Sequence, residues 1–237
     1  MERTDPSQPG TLSWAPPTYR HEVLAVLMRV RDCRLEVMAW QRASDPEAGR
    51  WALPGGLLAA DERLGTALAR QLSEKVDVHT IAHLEQLETR SDPRRDPRGR
   101  ALATAYLGLI PTDLEVSLPP DTAWHRVDQL PPMAFDHASI VESGIARLRP
   151  KLSYTNIGFA LAPDTFTMTQ LRDIYTAVLG HEVSTTNLNR VLHRRGVVER
   201  TPDSAPPAGG VGRPAALYRF SERKLIVTDE FPAFRPT

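Results

Sequence analysis

Apolar residues follow a strand-like pattern in two parts of the first half of the chain. Two apolar runs within 23–40 flank the polar stretch 31–34, and this arrangement predicts two strands joined by a turn. Small and apolar residues alternate over 101–110, which predicts another strand. The loop before it, 90–100, is basic and interrupted by prolines, so regular structure cannot run through all of it. The first half of the chain is therefore predicted to contain a sheet.

Helical spacing appears first after a predicted turn at 53–56. Asp61 is positioned to cap a helix in which leucines recur every four residues: Leu64, Leu68 and Leu72. A further helix is predicted over 137–149, and Pro150 is expected to end it, because proline cannot donate the next backbone hydrogen bond. The first half of the chain is thus predicted to combine strands with helices, an α/β arrangement.

The last third of the chain predicts a helix, a turn, a second helix and two strands. Residues on an apolar stripe at helical spacing mark the first helix: Leu171, Ile174, Tyr175, Val178 and Leu179. Gly180 is expected to end this helix, Ser184 to cap the next and Gly196 to end that one. Strands over 197–201 and 216–220 then flank a tip rich in proline and glycine. This order is typical of a winged helix-turn-helix.

Length and composition favour a cytoplasmic globular protein, with enough residues for two domains of ordinary size or for one large domain. The chain has 237 residues, of which 41% are hydrophobic and 24% charged. Its single cysteine, Cys33, cannot form an intramolecular disulfide, which indicates a reducing compartment. No apolar run approaches the ~18–20 residues that span a bilayer. We therefore expect a cytoplasmic location and no membrane partner.

Positive charge is concentrated near the C-terminus, although the whole chain is formally neutral. Lysine plus arginine number 29, as do aspartate plus glutamate. Between 184 and 224, however, eight basic residues stand against three acidic ones. Neutralisation of phosphate charge supplies much of the affinity of proteins for DNA. The asymmetry indicates a nucleic-acid partner for the predicted winged helix.

The segment 56–78 resembles the Nudix box. The pattern of the box is Gly, five residues, Glu, seven residues, then Arg-Glu-apolar-x-Glu-Glu-x-Gly-apolar. Residues at matching positions keep its spacing: Gly56, Glu62, Arg70, Leu72, Glu74 and Val78. In Nudix hydrolases the glutamates hold Mg²⁺ against a pyrophosphate. Carboxylates suit this hard ion, and side chains three or four apart share a helix face.

Several positions of the box depart from the family pattern. Gln71 and Lys75 stand where hydrolases carry glutamates, and Asp77 replaces the glycine. An amide is a weak neutral ligand and an ammonium group repels a cation, so only Glu74 and the more distant Glu62 remain. We predict that hydrolysis is lost, with no catalytic residue and no metal site. The alternative for Glu74 and Lys75 is a solvated charged face on a structural helix.

Other segments narrow the resemblance. Those at 51–56, 96–100 and 134–137 resemble signatures of ADP-ribose-type Nudix proteins. Together with 166–175 and 212–220, they resemble the NrtR family, the Nudix-related transcriptional regulators of NAD metabolism. The resemblance covers nearly the whole chain and requires both halves in this order. The loop before Asp96 departs from it, since an aromatic-glycine pair is commoner there.

The resemblance implies a homodimeric repressor of NAD synthesis and salvage genes that binds double-stranded DNA at a palindromic operator. It implies a nucleotide effector such as ADP-ribose or NAD, and no required cofactor. We expect an α/β Nudix-like sandwich domain followed by a C-terminal winged helix-turn-helix domain. A flexible arm would occupy 1–18, the effector-sensing and dimerisation domain 19–153, and the DNA-binding domain 154–237.

Candidate effector contacts carry charge or an aromatic ring. Guanidinium groups bind phosphate oxygens in a bidentate manner, so Arg95, Arg98 and Arg100 are candidates for the diphosphate, although exposed arginines in a loop can simply favour solubility. Trp51 is placed to stack on a base or to pack in the core. His137 is placed to contact the ligand or to cap the following helix.

The second helix of the predicted winged helix carries the candidate DNA contacts. Asparagine and arginine can read adenine and guanine in the major groove, and hydroxyl groups near the helix start suit phosphate. The candidates on the helix are Thr185, Thr186, Asn187, Asn189, Arg190, His193 and Arg194. Arg213 is a candidate at the wing tip. No acidic residue occurs between 184 and 196, which disfavours an ordinary solvated helix.

Two other functions remain open at the sequence level. The first is an active ADP-ribose or NADH pyrophosphatase with an accessory DNA-binding module, which would need carboxylates outside the box. The second is a scaffold whose Nudix fold dimerises without sensing a ligand. Release of phosphorylated products in the presence of Mg²⁺ would distinguish the pyrophosphatase from the repressor. Calorimetry with ADP-ribose, NAD and related nucleotides would distinguish the scaffold from the repressor.

Overall fold

The computed structural model describes residues 18–75, 81–206 and 214–229, and the side chains of Glu74 and Lys75 lie outside this description. The first part of the chain contains β1 (Arg20–Arg31), β2 (Arg34–Gln41), β3 (Trp51–Ala52), β4 (Gly55–Leu57), α1 (Leu64–Lys75), β5 (His83–Arg90), β6 (Ala101–Leu109), β7 (Thr122–Arg126) and α2 (His137–Tyr154). The second part contains a 3-10 turn (Ile157–Ala160), α3 (Met168–Leu179), α4 (Thr185–Arg194), β8 (Val198–Ala205) and β9 (Ala215–Phe220).

The strands of the first part form one mixed sheet. Its order is β3-β2-β1-β6-β5, with β4 also paired to β1 and β7 to β2. The predicted hairpin of β1 and β2 is confirmed, and its turn places Asp32 and Cys33 at positive φ. The sequence did not indicate β5 or β7. Strand β5 lies at an edge of the sheet and buries only Leu87, so it lacks the apolar pattern of a core strand.

Strand β1 is buried on both faces, and its alternation divides the core in two. Val23, Ala25 and Leu27 pack with residues of α1, among them Leu68 and Leu72. The intervening residues of β1 pack in a second cluster with residues of α2. Because successive side chains of a strand point to opposite faces, one central strand anchors a helix on each side of the sheet. The predicted α/β sandwich is confirmed.

The ends of two helices differ from the sequence prediction. Helix α1 begins at Leu64, so Asp61 is not its N-cap. Helix α2 continues through Pro150 to Tyr154, whereas we predicted that Pro150 would end it. Leu148 and Leu152 are both buried, and their packing on either side of the proline outweighs the one hydrogen bond that proline cannot donate.

The second part is a winged helix, and its helix ends follow the sequence. Thr167 and Gln170 form a capping box at the start of α3, and Gly180 ends it in the left-handed conformation, with φ 78°. The Ser184 side chain accepts a hydrogen bond from the Asn187 backbone at the start of α4. Strands β8 and β9 pair antiparallel from Val198 opposite Phe220. They are the observed form of the predicted hairpin.

The C-terminal segment ties the winged helix to the end of α2. The buried Asn156 amide donates to the carbonyl oxygens of Glu222 and Lys224 and accepts from the Ile226 backbone. Arg195, after α4, donates to the Ser153 carbonyl oxygen and pairs with Asp229 at 3.0 Å. Helix α2 therefore contacts the element that follows the predicted DNA-reading helix. Within the three described ranges, no helix is long and apolar enough to cross a bilayer.

Candidate functional site

A cavity of about 460 Å³ opens between β1, β4, α1 and the start of α2. Gly55 allows β4 to approach β1, because a Cβ at this position would lie 2.1 Å from the Val23 carbonyl oxygen. A Cβ on Gly56 would overlap the Gln71 side chain. These two glycines of the Nudix-like segment therefore bring strand and helix close enough to form the cavity. A second cavity, of about 600 Å³, lies along the loop between β5 and β6.

Glu62 is the glutamate of the Nudix-like box whose side chain the structure describes, and it is bound by other residues of the protein. Arg70 donates to both carboxylate oxygens of Glu62, one of the bonds measuring 3.2 Å, and the Ala59 backbone donates at 2.9 Å. The hydrogen bonds from Arg70 and then from Ala59 lower the pKa of Glu62 below its ordinary value. Glu62 thus holds the loop before α1 rather than facing an open ligand site.

Gln71 and Glu22 are the described side chains of the cavity that bear on magnesium binding. Gln71 is buried and lines the cavity, and its amide oxygen has no hydrogen-bond partner. Glu22 is the carboxylate outside the box that lines the cavity, and it pairs with Arg95 at 3.1 Å. No group of three potential metal ligands occurs among the described residues. Mg²⁺ prefers carboxylate oxygens in octahedral geometry, which Gln71 and a paired Glu22 do not supply.

Arg95 and Asp96 are the buried residues of the otherwise mostly exposed basic loop, and ion pairs hold both of them. The side chain of Arg95 is only 2% exposed and pairs with Glu22 and with both oxygens of Asp136, just before α2. Burial opposes ionisation of Asp96, but Arg98 and Arg20 outweigh it and lower the pKa of Asp96 to about 2. The stability that Asp96 contributes is therefore present above pH 3.8 and is lost as the pH falls towards 2.

The predicted effector residues occupy different places around this network. Arg98 and His137 line the 460 Å³ cavity, and Arg95 lines the adjacent one. Trp51 is partly buried against the core and packs edge-on against His125, with ring centroids 4.1 Å apart. Arg100 donates to the Ser91 carbonyl oxygen at 2.6 Å and lies outside both linings.

His137 joins the cavity to the sheet. Its Nδ1 accepts a hydrogen bond of 3.0 Å from the Leu53 backbone. Burial lowers the pKa of His137 to about 4, so the ring is neutral near pH 7. With Nδ1 accepting, the proton of the neutral ring lies on Nε2. His137 does not cap α2, because no side-chain hydrogen bond caps the start of this helix. The ring instead links α2 to the backbone of Leu53, between β3 and β4.

Sequence reasoning did not single out several residues of the cavity, among them Glu22, Arg42 and Phe135. Arg42, at the end of β2, and Phe135, before α2, both line it, and the Arg42 guanidinium lies 4.9 Å from the centre of the Phe135 ring. Arg42 lies far in sequence from the Nudix-like box, and no local pattern marks it. Phe135 had a signal, since it belongs to the 134–137 segment that supports the resemblance, but only its neighbour His137 was singled out.

Helix α4 turns a polar face to solvent. Leu188 and Leu192 are buried and Val191 is half-buried. The exposed positions of the helix are Thr186, Asn187, Arg190, His193 and Arg194. Arg190 donates to the Asn187 side-chain oxygen at 2.8 Å, which orients the guanidinium on the exposed face. The predicted reading residues therefore share one accessible surface.

Three other predicted DNA contacts lie elsewhere or are less accessible. Thr185 and Asn189 are half-buried, and the Asn189 side-chain oxygen is buried without a hydrogen-bond partner. Arg213 lies outside the described residues. The exposed His193 ring also contacts Tyr218 of β9, with centroids 5.6 Å apart, so the helix and the hairpin meet beside the exposed face.

Comparisons with known proteins agree with this architecture. The family model of the Nudix domain matches residues 20–144, and the family model of the NrtR DNA-binding winged helix domain matches residues 158–220. The ADPR responsive transcriptional repressor NtrR of Acinetobacter baylyi is 34% identical over 195 residues, which cover 79% of this chain and 76% of that protein.

Solved structures show the same fold. Shewanella oneidensis NrtR, complexed with a 27mer DNA, is 31% identical with a TM-score of 0.73, and the match covers 84% of this chain and 93% of that one. The Nudix domain of the Shewanella protein complexed with ADP ribose is 32% identical with a TM-score of 0.51, over 57% of this chain and 94% of that one. The chain thus has the architecture of a Nudix-related transcriptional regulator. It belongs to the NrtR family.

Proposed function

We propose that this protein is a cytoplasmic, homodimeric repressor of genes for NAD synthesis and salvage, and that its Nudix domain binds ADP-ribose or a related nucleotide without hydrolysing it. The observation that carries the proposal is the chemistry of the cavity. Arg42 and Arg98 line it, and the neutral amide of Gln71 lines it at a position where a hydrolase carries a glutamate. Guanidinium groups can bind a diphosphate directly, without a bridging metal ion.

Two relatives support the choice of effector and partner. The Acinetobacter protein is named as a repressor that responds to ADPR, and the Shewanella Nudix domain was solved with ADP ribose. The exposed face of α4, which bears Arg190 and Asn187 without an acidic residue, supports a DNA-reading role for this chain. In this proposal the Nudix half, over 19–153, senses and dimerises, and 154–237 binds the operator. Calorimetry with ADP-ribose and NAD tests the sensing role.

Hydrolysis of ADP-ribose by the wild-type protein is expected to stay at background in Mg²⁺. The reason is that Gln71 and Lys75 replace two carboxylates of the metal site and that Arg70 holds Glu62. The measurement is release of AMP and ribose 5-phosphate over time. Turnover at an ordinary ~1–10³ s⁻¹ would contradict the proposal and favour the alternative of a pyrophosphatase with a DNA-binding module.

Restoring the carboxylates provides the matched comparison. The double variant Gln71→Glu with Lys75→Glu is expected to hydrolyse ADP-ribose faster than wild type, and only when Mg²⁺ is present. The variant Gln71→Ala with Lys75→Ala removes the same side chains without adding carboxylates and should remain at background. Equal activity of the two variants would mean that these positions do not decide catalysis.

Arg98→Ala is expected to weaken binding of ADP-ribose by about 10- to 100-fold, because a hydrogen bond to a charged group contributes ~1.5–3 kcal/mol. Operator binding without the effector should remain near that of wild type. Arg126→Ala is a matched control, since Arg98 and Arg126 each pair with an aspartate two residues away. If Arg98→Ala instead lost operator binding and kept the effector, the loop would belong to the DNA or dimer surface.

A further inference from the structure

Phe135 occupies the junction between the two cavities of the Nudix domain. Its side chain is half-buried, and among the described residues it alone belongs to the linings of both the 460 Å³ and the 600 Å³ cavity. A ligand that extends from one cavity to the other must therefore pass this ring. Phe135 belongs to neither described core cluster, and its ring instead lies 5.6 Å from that of the buried His137, a second residue of the 460 Å³ cavity.

The backbone at Phe135 is held in an unfavourable conformation. Its φ of 53° lies in the left-handed region, which a bulky residue rarely adopts. Backbone hydrogen bonds on both sides of Phe135 fix this turn. The N–H of Ala134 donates to the carbonyl oxygen of Trp51 at 2.7 Å, and the N–H of His137 donates to the carbonyl oxygen of Ala134 at 3.1 Å. Such strain persists only where the surroundings enforce it, and it concentrates at ligand sites. The turn therefore presents the ring at the cavity.

Two guanidinium groups cover the ring. Arg42 lies 4.9 Å and Arg98 5.6 Å from its centre. A ring face that accepts a planar cation also accepts a nucleobase, because both stack on its π electrons. A base can therefore replace a guanidinium on this ring without a change in the backbone.

The two arginines differ in how firmly they are held. Arg98 bonds to the Asp96 carboxylate at 2.8 Å and lies 3.6 Å from Glu22. Arg42 donates only to backbone carbonyl oxygens, of Pro46 at 3.0 Å and Ser44 at 3.4 Å, and within the described ranges it has no carboxylate partner. Of the two described arginines that line the cavity, Arg42 is therefore the one whose positive charge no carboxylate neutralises, and an anionic phosphate would attract it.

We propose that Phe135 is the stacking platform for the base of the nucleotide effector and that Arg42 leaves the ring to bind its phosphate. This inference rests on the proposed function and adds to it the residues that distinguish a nucleotide from a sugar phosphate. The base takes the ring surface that Arg42 covers in the free protein. The released guanidinium then pairs with the diphosphate from the same side of the cavity.

Calorimetry and fluorescence with 1,N6-etheno-ADP-ribose test the proposal. Phe135→Leu keeps an apolar side chain but removes the π face, and is expected to weaken binding of ADP-ribose by about 10- to 100-fold, since stacking of one base contributes ~1–3 kcal/mol. Stacking on an aromatic ring quenches the fluorescence of the etheno-base. Wild type and Phe135→Trp should therefore quench the bound probe, and saturated Phe135→Leu should not.

Arg42→Met tests the second half of the inference. It should weaken binding of ADP-ribose while the bound probe remains quenched, because the base still stacks on Phe135. Operator binding without effector serves as the folding control for every variant. Equal affinity and equal quenching in Phe135→Leu and wild type would overturn this inference alone. Absence of ADP-ribose binding to wild type would overturn the proposed function, and this inference with it.

Discussion

Replacement of Arg95 by alanine is expected to lower the free energy of unfolding of the Nudix domain by about 3 kcal/mol. The variant leaves Glu22 and Asp136 partly buried without their shared cation, and breaking a buried ion pair typically costs ~3–5 kcal/mol. The lower end applies, because the two carboxylate side chains remain 15% and 22% exposed. The same loss would detach the loop after β5 from the start of α2.

Unfolding in urea, followed by tryptophan fluorescence, measures this effect. No tryptophan occurs after Trp124, so the signal reports on the first part of the chain. Arg94→Ala is the matched control, because Arg94 immediately precedes Arg95, its side chain is 93% exposed and its guanidinium lies 3.9 Å from the carboxylate of Asp92. We expect this control to change stability by less than about 0.5 kcal/mol. Equal stability of the two variants would show that the buried network contributes little.

Arg190→Ala is expected to reduce the preference for operator over scrambled DNA by about 10- to 100-fold, because one bidentate contact to a base contributes ~1–3 kcal/mol of discrimination. One recognition helix reaches only a few base pairs. We therefore expect a two-fold dimer on a palindrome whose half-sites lie ~34 Å, or a multiple of it, apart. The bond from Arg190 to Asn187 already orients the guanidinium on the exposed face of α4.

Binding titrations on both DNAs across a range of salt concentrations measure the preference. Arg200→Ala is the control, since Arg200 is exposed on β8 and, unlike Arg213, belongs to the described residues. This variant should weaken binding to both DNAs alike and lower the slope of log affinity against log salt concentration by about one unit, as expected for a contact to phosphate. If Arg190→Ala lost the same binding affinity for operator and scrambled DNA, base reading would belong to another residue of α4.

The sequence determined the elements whose information is local. The apolar run of β1, the leucines of α1 and the caps Ser184 and Gly180 each depend on residues a few positions apart, and the structure confirms them. The spacing of the Nudix-like box and the order of the winged-helix elements are local in the same sense. The family therefore followed from the sequence, and the comparisons confirm it.

Tertiary structure decided what depends on contacts between distant residues. The charge of Arg95 predicted a phosphate contact, and only the structure shows its partners within the chain: Glu22, 73 positions earlier, and Asp136, 41 positions later. Pro150 stays within α2 because packing around it outweighs its local effect. Arg42 and Phe135 meet across 93 positions of sequence at one cavity. Local patterns report backbone preferences, whereas the partner of a charged or aromatic side chain is set by chain topology, and only the folded structure shows it.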